Sequence, residues 1–341
     1  MQKNIFMVLG MARCGTSAIT RGLQALGIDL GTQLAPADAQ WNPTGFFEDN
    51  EFVYRINGRI FAATNFLPYS IHMPDRAKLI GSETEAIRKE TRKLLTNRFA
   101  NTHYWAFKDP NTIKSLPFWQ SVLSEENIQP NYIIALRNPL SVAKSYQSLT
   151  GSALEVGLML WLMYMLQAID ETAGEKRLIV SYEDILVRPV EELNRIKTFF
   201  CIPDLAPAEN IELYATKFID KSLHRHTDAN AESELAKSAL PLCGRVYDLL
   251  LAVAKDEVTL NEAMFNDRWQ MIKSELTQIY PFICYMDIVL KKVNVLEKSL
   301  KRIHKSLRWR MSSPFRTIDY IWQSWKKKRK INRDRLPRAY G

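Results

Sequence analysis

The sequence predicts an α/β fold: a mainly parallel sheet flanked by helices, followed by a helical C-terminal extension. Three observations lead there. Short apolar, β-rich runs alternate with helical patterns over the first two-thirds of the chain. A glycine-containing turn follows the first of those runs and opens a helix. After about residue 230 the strand signals stop and a heptad pattern takes over.

Taken in order, Ile5–Gly10 is the first strand, since an apolar run with no polar alternation suits a strand buried on both faces. The run Ile5–Ala12 is short for a secretory h-region and leads straight into Arg13, so it is expected to be that buried strand and not a leader. A helix follows from about Gly15. Trp105–Lys108 is a short strand, Tyr132–Leu136 a stronger one with a helix from about Pro139, and Arg177–Ser181 a fourth, with a helix over Pro189–Phe200. The stretch 153–169 contains Glu155 and Gly157 and falls short of the ~20 residues a membrane span needs, so it is expected to be a core helix. No fixed-period repeat is present.

A length of 341 residues fits about two domains. With 46% apolar and 24% charged residues the chain is not a disordered one. Four cysteines, Cys14, Cys201, Cys243 and Cys284, form no C-x-x-C pair, which argues against a zinc ribbon or a disulfide scaffold and for a reducing, cytoplasmic setting. The net charge of +9 is uneven: residues 291–341 hold 17 Lys/Arg against 3 Asp/Glu, leaving the first 290 residues slightly acidic. The basicity of the chain is therefore no argument for nucleic-acid binding by its body.

The most informative stretch is Gly10-Met-Ala-Arg-Cys-Gly-Thr-Ser17, lying between a strand and a helix. Two glycines allow the backbone to wrap an anion, the helix N-terminus presents N–H groups to it, and Thr16 and Ser17 add hydroxyls. A nucleotide phosphate is the expected ligand. An NTPase would carry Lys after the second Gly; here that position is Thr16, and the cation is Arg13, inside the loop. The parts for γ-phosphate hydrolysis are missing.

The run Arg13-Cys14-Gly15-Thr16-Ser17 resembles the 5′-phosphosulfate loop of sulfotransferases that use 3′-phosphoadenosine 5′-phosphosulfate (PAPS). That family's second signature, a strand ending in Arg with Ser eight residues on, is matched by Arg137 and Ser145. Its third, a strand followed by Tyr-Glu-Asp, is matched by Tyr182-Glu183-Asp184. All three occur in the family's order within residues 1 to about 230. The resemblance implies a P-loop-like sheet, PAPS as sulfuryl donor and no metal. It implies that Arg137 and Ser145 hold the 3′-phosphate and that Tyr182 stacks on or hydrogen-bonds the adenine; a core Tyr is the competing reading. Arg13 then stabilises charge on the leaving 5′-phosphate oxygen, helped by backbone N–H groups of residues 14–17. Many relatives use Lys there, and Arg appears in carbohydrate-directed branches, which points to a sugar or glycolipid hydroxyl of a surface polysaccharide as acceptor.

For the general base, Trp41-Asn42-Pro43-Thr44-Gly45-Phe46-Phe47-Glu48 is similar to the N-P-x-G-x-x-E stretch of bacterial sulfotransferases. A carboxylate among phenylalanines should have a raised pKa, so Glu48 is the first candidate. Asp109 is the second, after a short strand where other branches place a catalytic His, with Lys108 beside it to hold substrate or the sulfuryl group. Both carry structural alternatives, Glu48 as a helix cap and Asp109 as a turn former before Pro110. The segment Phe218–His226 resembles the late stretch that closes over PAPS, which makes Arg225 a further 3′-phosphate candidate. His224 and His226 have no carboxylate or cysteine cluster beside them to complete a metal site. Cys14, beside Arg13 at a helix N-terminus, is either a readily ionised thiol or simply a small residue in the loop.

The expected division is a sulfotransferase domain over 1–235, a helical or coiled extension over 236–312, and a basic aromatic tail over 313–341. The 3-4-3-4 spacing of Val293, Leu296, Leu300, Ile303 and Leu307 is a heptad seam, suited to self-association over 286–307 or to packing back on the body. Residues 306–316 are similar to a short segment at the ends of some bacterial polysaccharide enzymes. Phe315, Ile318, Ile321, Trp322 and Trp325 beside Lys326–Lys330 suit an anionic membrane surface and a peripheral place on its inner face, with a simply solvated tail as the competing reading. Two rival readings stand against the enzyme: a catalytically idle nucleotide-binding scaffold, and a nucleotide kinase, which the missing loop Lys disfavours.

Overall fold

The computed structural model describes residues 2–38, 45–68, 70–219 and 240–305. Four strands form one all-parallel sheet in the order β2-β1-β3-β4: β1 Asn4–Leu9, β2 Tyr104–Lys108, β3 Gln129–Leu136 and β4 Arg177–Ser181. The register runs Val8 to Lys108, Val8 to Ile133 and Leu136 to Ser181. The strands read as unbroken apolar runs because both faces are covered: Ile5, Met7, Trp105, Ile133 and Ile134 are all fully buried. The fold is thus the expected one, a parallel sheet flanked by helices with a long C-terminal helix.

From β1 the chain crosses to β2 on one side, and from β2 it passes over to β3 on the other. That makes the C-terminal end of β1 a topological switch point, the place where open α/β sheets form a ligand crevice. The helix Thr16–Ala25 begins at that end.

Two helices pack against each other at close quarters. Pro139–Thr150 is capped by Asn138, whose side chain accepts from the N–H groups of Leu140 and Ser141. Leu154–Glu171 is buried almost all round, as the 153–169 stretch predicts. Gly157 lets these helices approach, since a Cβ there would lie 2.9 Å from Cα of Ala143. Among the described residues no helix is long and apolar enough to cross a membrane.

Compactness divides the chain into two units, Met1–Ile283 and Cys284–Gly341. The first takes in the helix Pro241–Ala254, which packs on the helix Leu154–Glu171 and on β4, and Trp269, whose indole donates to Asp170 at 2.9 Å. In the second unit the described residues, 284–305, continue the helix Ala263–Lys305. Trp41–Thr44, the histidines at 224 and 226, Arg225 and the tail from 313 lie outside the described residues.

One hub was not expected. A π-helix over Glu51–Asn57 delivers Asn57 into the core, where its amide donates to Asp109 at 2.8 Å and Thr112 at 3.1 Å. Its carbonyl accepts from Ser115 at 2.8 Å and from the Trp119 indole at 2.9 Å. Every donor and acceptor of the side chain is used. Asn57→Ala should therefore lower unfolding stability by about 2–4 kcal/mol, because several buried polar groups lose a partner at once. Urea denaturation should give a lower midpoint with an unchanged slope.

Candidate functional site at the C-terminal edge of the sheet

Each strand ends in a sequence-predicted site residue. Gly10–Ser17 follows β1, Lys108 closes β2 and is followed by Asp109, Arg137 follows β3, and Tyr182 follows β4. A parallel sheet makes this possible, since all four C-terminal ends lie on one edge.

The β1 turn depends on its glycines. Gly10 has φ +152 and its absent Cβ would meet Ala135 and Thr16 at about 3.2 and 3.1 Å. Gly15 has φ +84, and a Cβ there would lie 2.1 Å from the Tyr182 ring. Tyr182 thus lies directly on the turn, and its ring is also 4.5 Å from the Arg137 guanidinium. The aromatic packs against the turn and Arg137 at once, which sequence spacing does not reveal.

Arg13 is itself left-handed, at φ 78. Its Nε donates to Ser145 Oγ at 2.9 Å, while Arg137 donates to the Arg13 carbonyl at 2.9 Å. The residues expected at two separate phosphates, Arg13 for one and Arg137 with Ser145 for the other, therefore form one connected set. Arg137 is buried, and its Nε has no hydrogen-bond partner among the described residues. The indole of Trp161 donates to the Arg137 carbonyl at 3.1 Å, a contact with no sequence signal. Glu183 lies half-buried nearby; desolvation pushes its carboxyl up, and the Arg137 charge pulls the other way.

The second cluster joins the helix start to β2. Lys108 Nζ donates to Glu48 Oε1 at 2.6 Å and to Ser17 Oγ at 3.1 Å, and Ser17 donates to the Phe46 carbonyl at 3.3 Å. Burial pushes the Glu48 carboxyl up and the Lys108 ammonium down, and their pairing opposes both shifts. Glu48 Oε2 is buried with no partner among the described residues. The helix-cap alternative belongs to its neighbour: Asp49 accepts from the Glu51 N–H at 3.0 Å and pairs with Arg98 at 2.6 Å.

Asp109 is differently placed. Its two oxygens accept from Asn111 N at 2.9 Å and from Asn57 at 2.8 Å, the turn-forming arrangement named as its alternative. Burial raises its pKa. Thr16 is buried and its carbonyl accepts from Thr20 at 2.8 Å.

Of the two readings of Cys14, its burial favours the small residue in the loop. Its thiol is fully buried, and burial pushes the pKa up to about 12 despite the Arg137 charge. Its N–H is engaged by the Met11 carbonyl at 3.1 Å, which removes one of the four backbone donors expected to face an anion.

The donor set fits a phosphorylated ligand: two arginines, a lysine, hydroxyls at Ser17 and Ser145, and a guanidinium N–H with no hydrogen-bond partner among the described residues, all at the sheet edge. No family model matches the chain, and no curated protein does. Among solved structures it is similar to the sulfotransferase domain of a Synechococcus PCC 7002 olefin synthase, at 15% identity, over 80% of this chain and 95% of that one, with a TM-score of 0.38. It is similar to the sulfotransferase domain from the curacin biosynthetic pathway, at 14% identity over 81% and 98%, TM-score 0.38. A sulfotransferase from Alicyclobacillus acidocaldarius matches at 13% identity over 78% and 99%, again with a TM-score of 0.38. At such identities the chemistry has to be argued from this chain's own residues.

Burial makes a chemical prediction. With a pKa of about 12, Cys14 is roughly 10⁻⁴ thiolate at pH 8, so iodoacetamide should label exposed Cys201 and leave Cys14 unmodified. Peptide mass spectrometry of the folded chain reads this, and comparable labelling of both would contradict the burial.

Proposed function

We propose that this chain is a sulfotransferase that takes PAPS as donor and a hydroxyl group as acceptor, with a sugar or glycolipid of a surface polysaccharide as the acceptor class. The observation that carries the reading is the connected set Arg13, Ser145 and Arg137 on a Gly10–Ser17 turn, with Lys108 and Glu48 at the turn's other end. The arginine at position 13 supports the carbohydrate acceptor through its resemblance to the carbohydrate-directed branches.

When bound, the donor supplies an activated sulfuryl group whose leaving group is a phosphate. The chain's part is alignment and charge stabilisation. Arg13 keeps its charge at any working pH, so it stabilises an anion without giving up a proton. Arg137, whose Nε has no hydrogen-bond partner among the described residues, and Ser145 hold the second phosphate, and Tyr182 flanks the turn that receives the first. Lys108 holds Glu48 in place through Oε1 and leaves Oε2 to accept the acceptor's hydroxyl proton. Asp109, with both oxygens occupied by Asn57 and Asn111, serves as a structural brace, so Glu48 is the base.

Two measurements test this. By calorimetry the chain should bind adenosine 3′,5′-bisphosphate about 10- to 100-fold more tightly than AMP, the value of one or two charge-assisted hydrogen bonds. Arg137→Ala should erase that ratio. Comparing two ligands on one variant cancels any general loosening of the turn, and an unchanged ratio would remove Arg137 from the 3′-phosphate.

Radiolabelled sulfate transfer from PAPS tests the chemistry. Glu48→Gln should lower turnover by about 10²-fold or more. In the wild type the rate should rise with pH through a pKa above the ordinary carboxylate range, because the base acts ionised and burial raises its pKa. That limb should vanish in Glu48→Gln. Tight bisphosphate binding with no transfer to any hydroxyl acceptor would favour the idle scaffold.

A further inference from the structure

The helix Ala263–Lys305 carries a row of exposed apolar side chains through the second unit. Met286, Val289, Val293, Leu296, Leu300 and Ile303 follow one another at intervals of 3, 4, 3, 4 and 3 residues. They are 38, 39, 42, 62, 52 and 48% exposed, although side chains of this kind are normally covered. An interval alternating between 3 and 4 is the a/d repeat of a left-handed coiled coil, with Met286, Val293 and Leu300 at a and the other three at d. In sequence the repeat runs on to Leu307.

The flanking charges say what covers the row. Lys292 falls at g and Glu297 at e of the next heptad, and both are exposed. In a parallel, in-register pair, position g of one helix faces position e five residues further along its partner. Lys292 of each copy then meets Glu297 of the other, two attractive pairs across one seam. The preceding g/e couple, Tyr285 with Leu290, is apolar, and the following one, Ser299 with His304, sets no like charges together. An antiparallel pair matches g with g and e with e, so it cannot bring Lys292 to Glu297.

We propose that the residues Met286–Ile303 form a parallel, in-register two-stranded coiled coil with a second copy of this chain, and that the protein is a homodimer through this seam. Each dimer therefore carries two copies of the sheet-edge site. The inference is independent of the chemistry proposed above, because none of its readouts involves activity.

Light scattering after size exclusion, with the full chain at about 50 μM, should give twice the chain mass. Leu296→Asp with Leu300→Asp should give the monomer mass and an unchanged far-ultraviolet spectrum, since both positions are exposed in the single chain. Lys292→Glu alone and Glu297→Lys alone should each weaken the dimer by about 5- to 30-fold in sedimentation equilibrium. The combined variant K292E/E297K should restore it, which only the parallel register allows. A wild-type monomer at this concentration, a threefold mass, or a dimer that survives the two aspartates would each overturn the proposal. So would a wild-type monomer that co-sediments with phosphatidylserine-containing vesicles and loses that binding in the aspartate variant, because the row would then be a lipid-facing surface.

Discussion

Arg137 ties the Gly10–Ser17 turn to the sheet, and the rest of the site depends on that tie. The turn contains three residues with positive φ, Gly10, Arg13 and Gly15, a backbone course that is intrinsically unfavourable for Arg13. It is held by an arginine at the end of the neighbouring strand, through a 2.9 Å bond to the Arg13 carbonyl. The same guanidinium lies against Tyr182, which occupies the space that any side chain at position 15 would need. Arg137 is fixed in turn by its own backbone, where the Trp161 indole engages its carbonyl. The helix Leu154–Glu171 therefore braces the turn through Arg137.

The second half of the site rests on a buried ion pair. Lys108 and Glu48 are both almost inaccessible, and taking two charges out of water costs several kcal/mol apiece before their attraction is counted. A hydrophobic pair of the same volume would stabilise the fold as well or better. Removing either partner alone would cost about 3–5 kcal/mol by stranding the other. The proposed chemistry would use such an arrangement: it holds one carboxylate oxygen and leaves the other with no hydrogen-bond partner among the described residues. Asp109, next along the chain, shows the contrast. Its two oxygens are fully engaged, and its burial supports the start of the helix Thr112–Glu125.

The sheet was legible in the sequence because parallel strands covered on both faces leave a simple record, an unbroken apolar run. Arg177–Ser181 and Pro189–Phe200 could be bounded by residue, and the buried helix after Gly151 could be told from a membrane span by length. The candidate residues that gather at the C-terminal edge of the sheet could be named because three of the four strand ends carry a short motif. What could not be read was how they meet. Arg13 and Ser145 are 132 residues apart, and nothing local states that one donates to the other. Asn57 is invisible for the same reason: an asparagine in a charged helical stretch gives no sign that four side chains converge on it. Cys14 misleads in the opposite direction, because its sequence neighbours argue for an acidic thiol while complete burial, which only the packed fold supplies, decides the matter.

The Arg13–Ser145 bond bears on how such a site chooses its ligand. Arg13 uses its Nε on a neutral hydroxyl, that of Ser145. A guanidinium carries five N–H donors, so this bond orients the side chain without obliging an arriving group to displace Ser145. Under the proposed function an anion gains more here than a neutral group, because a charge-assisted bond is roughly twice as strong as an ordinary one of about 1 kcal/mol. Arg137 adds a buried Nε that has no hydrogen-bond partner among the described residues. Both features favour charge over neutral polarity at this edge of the sheet, which is what the proposed donor requires.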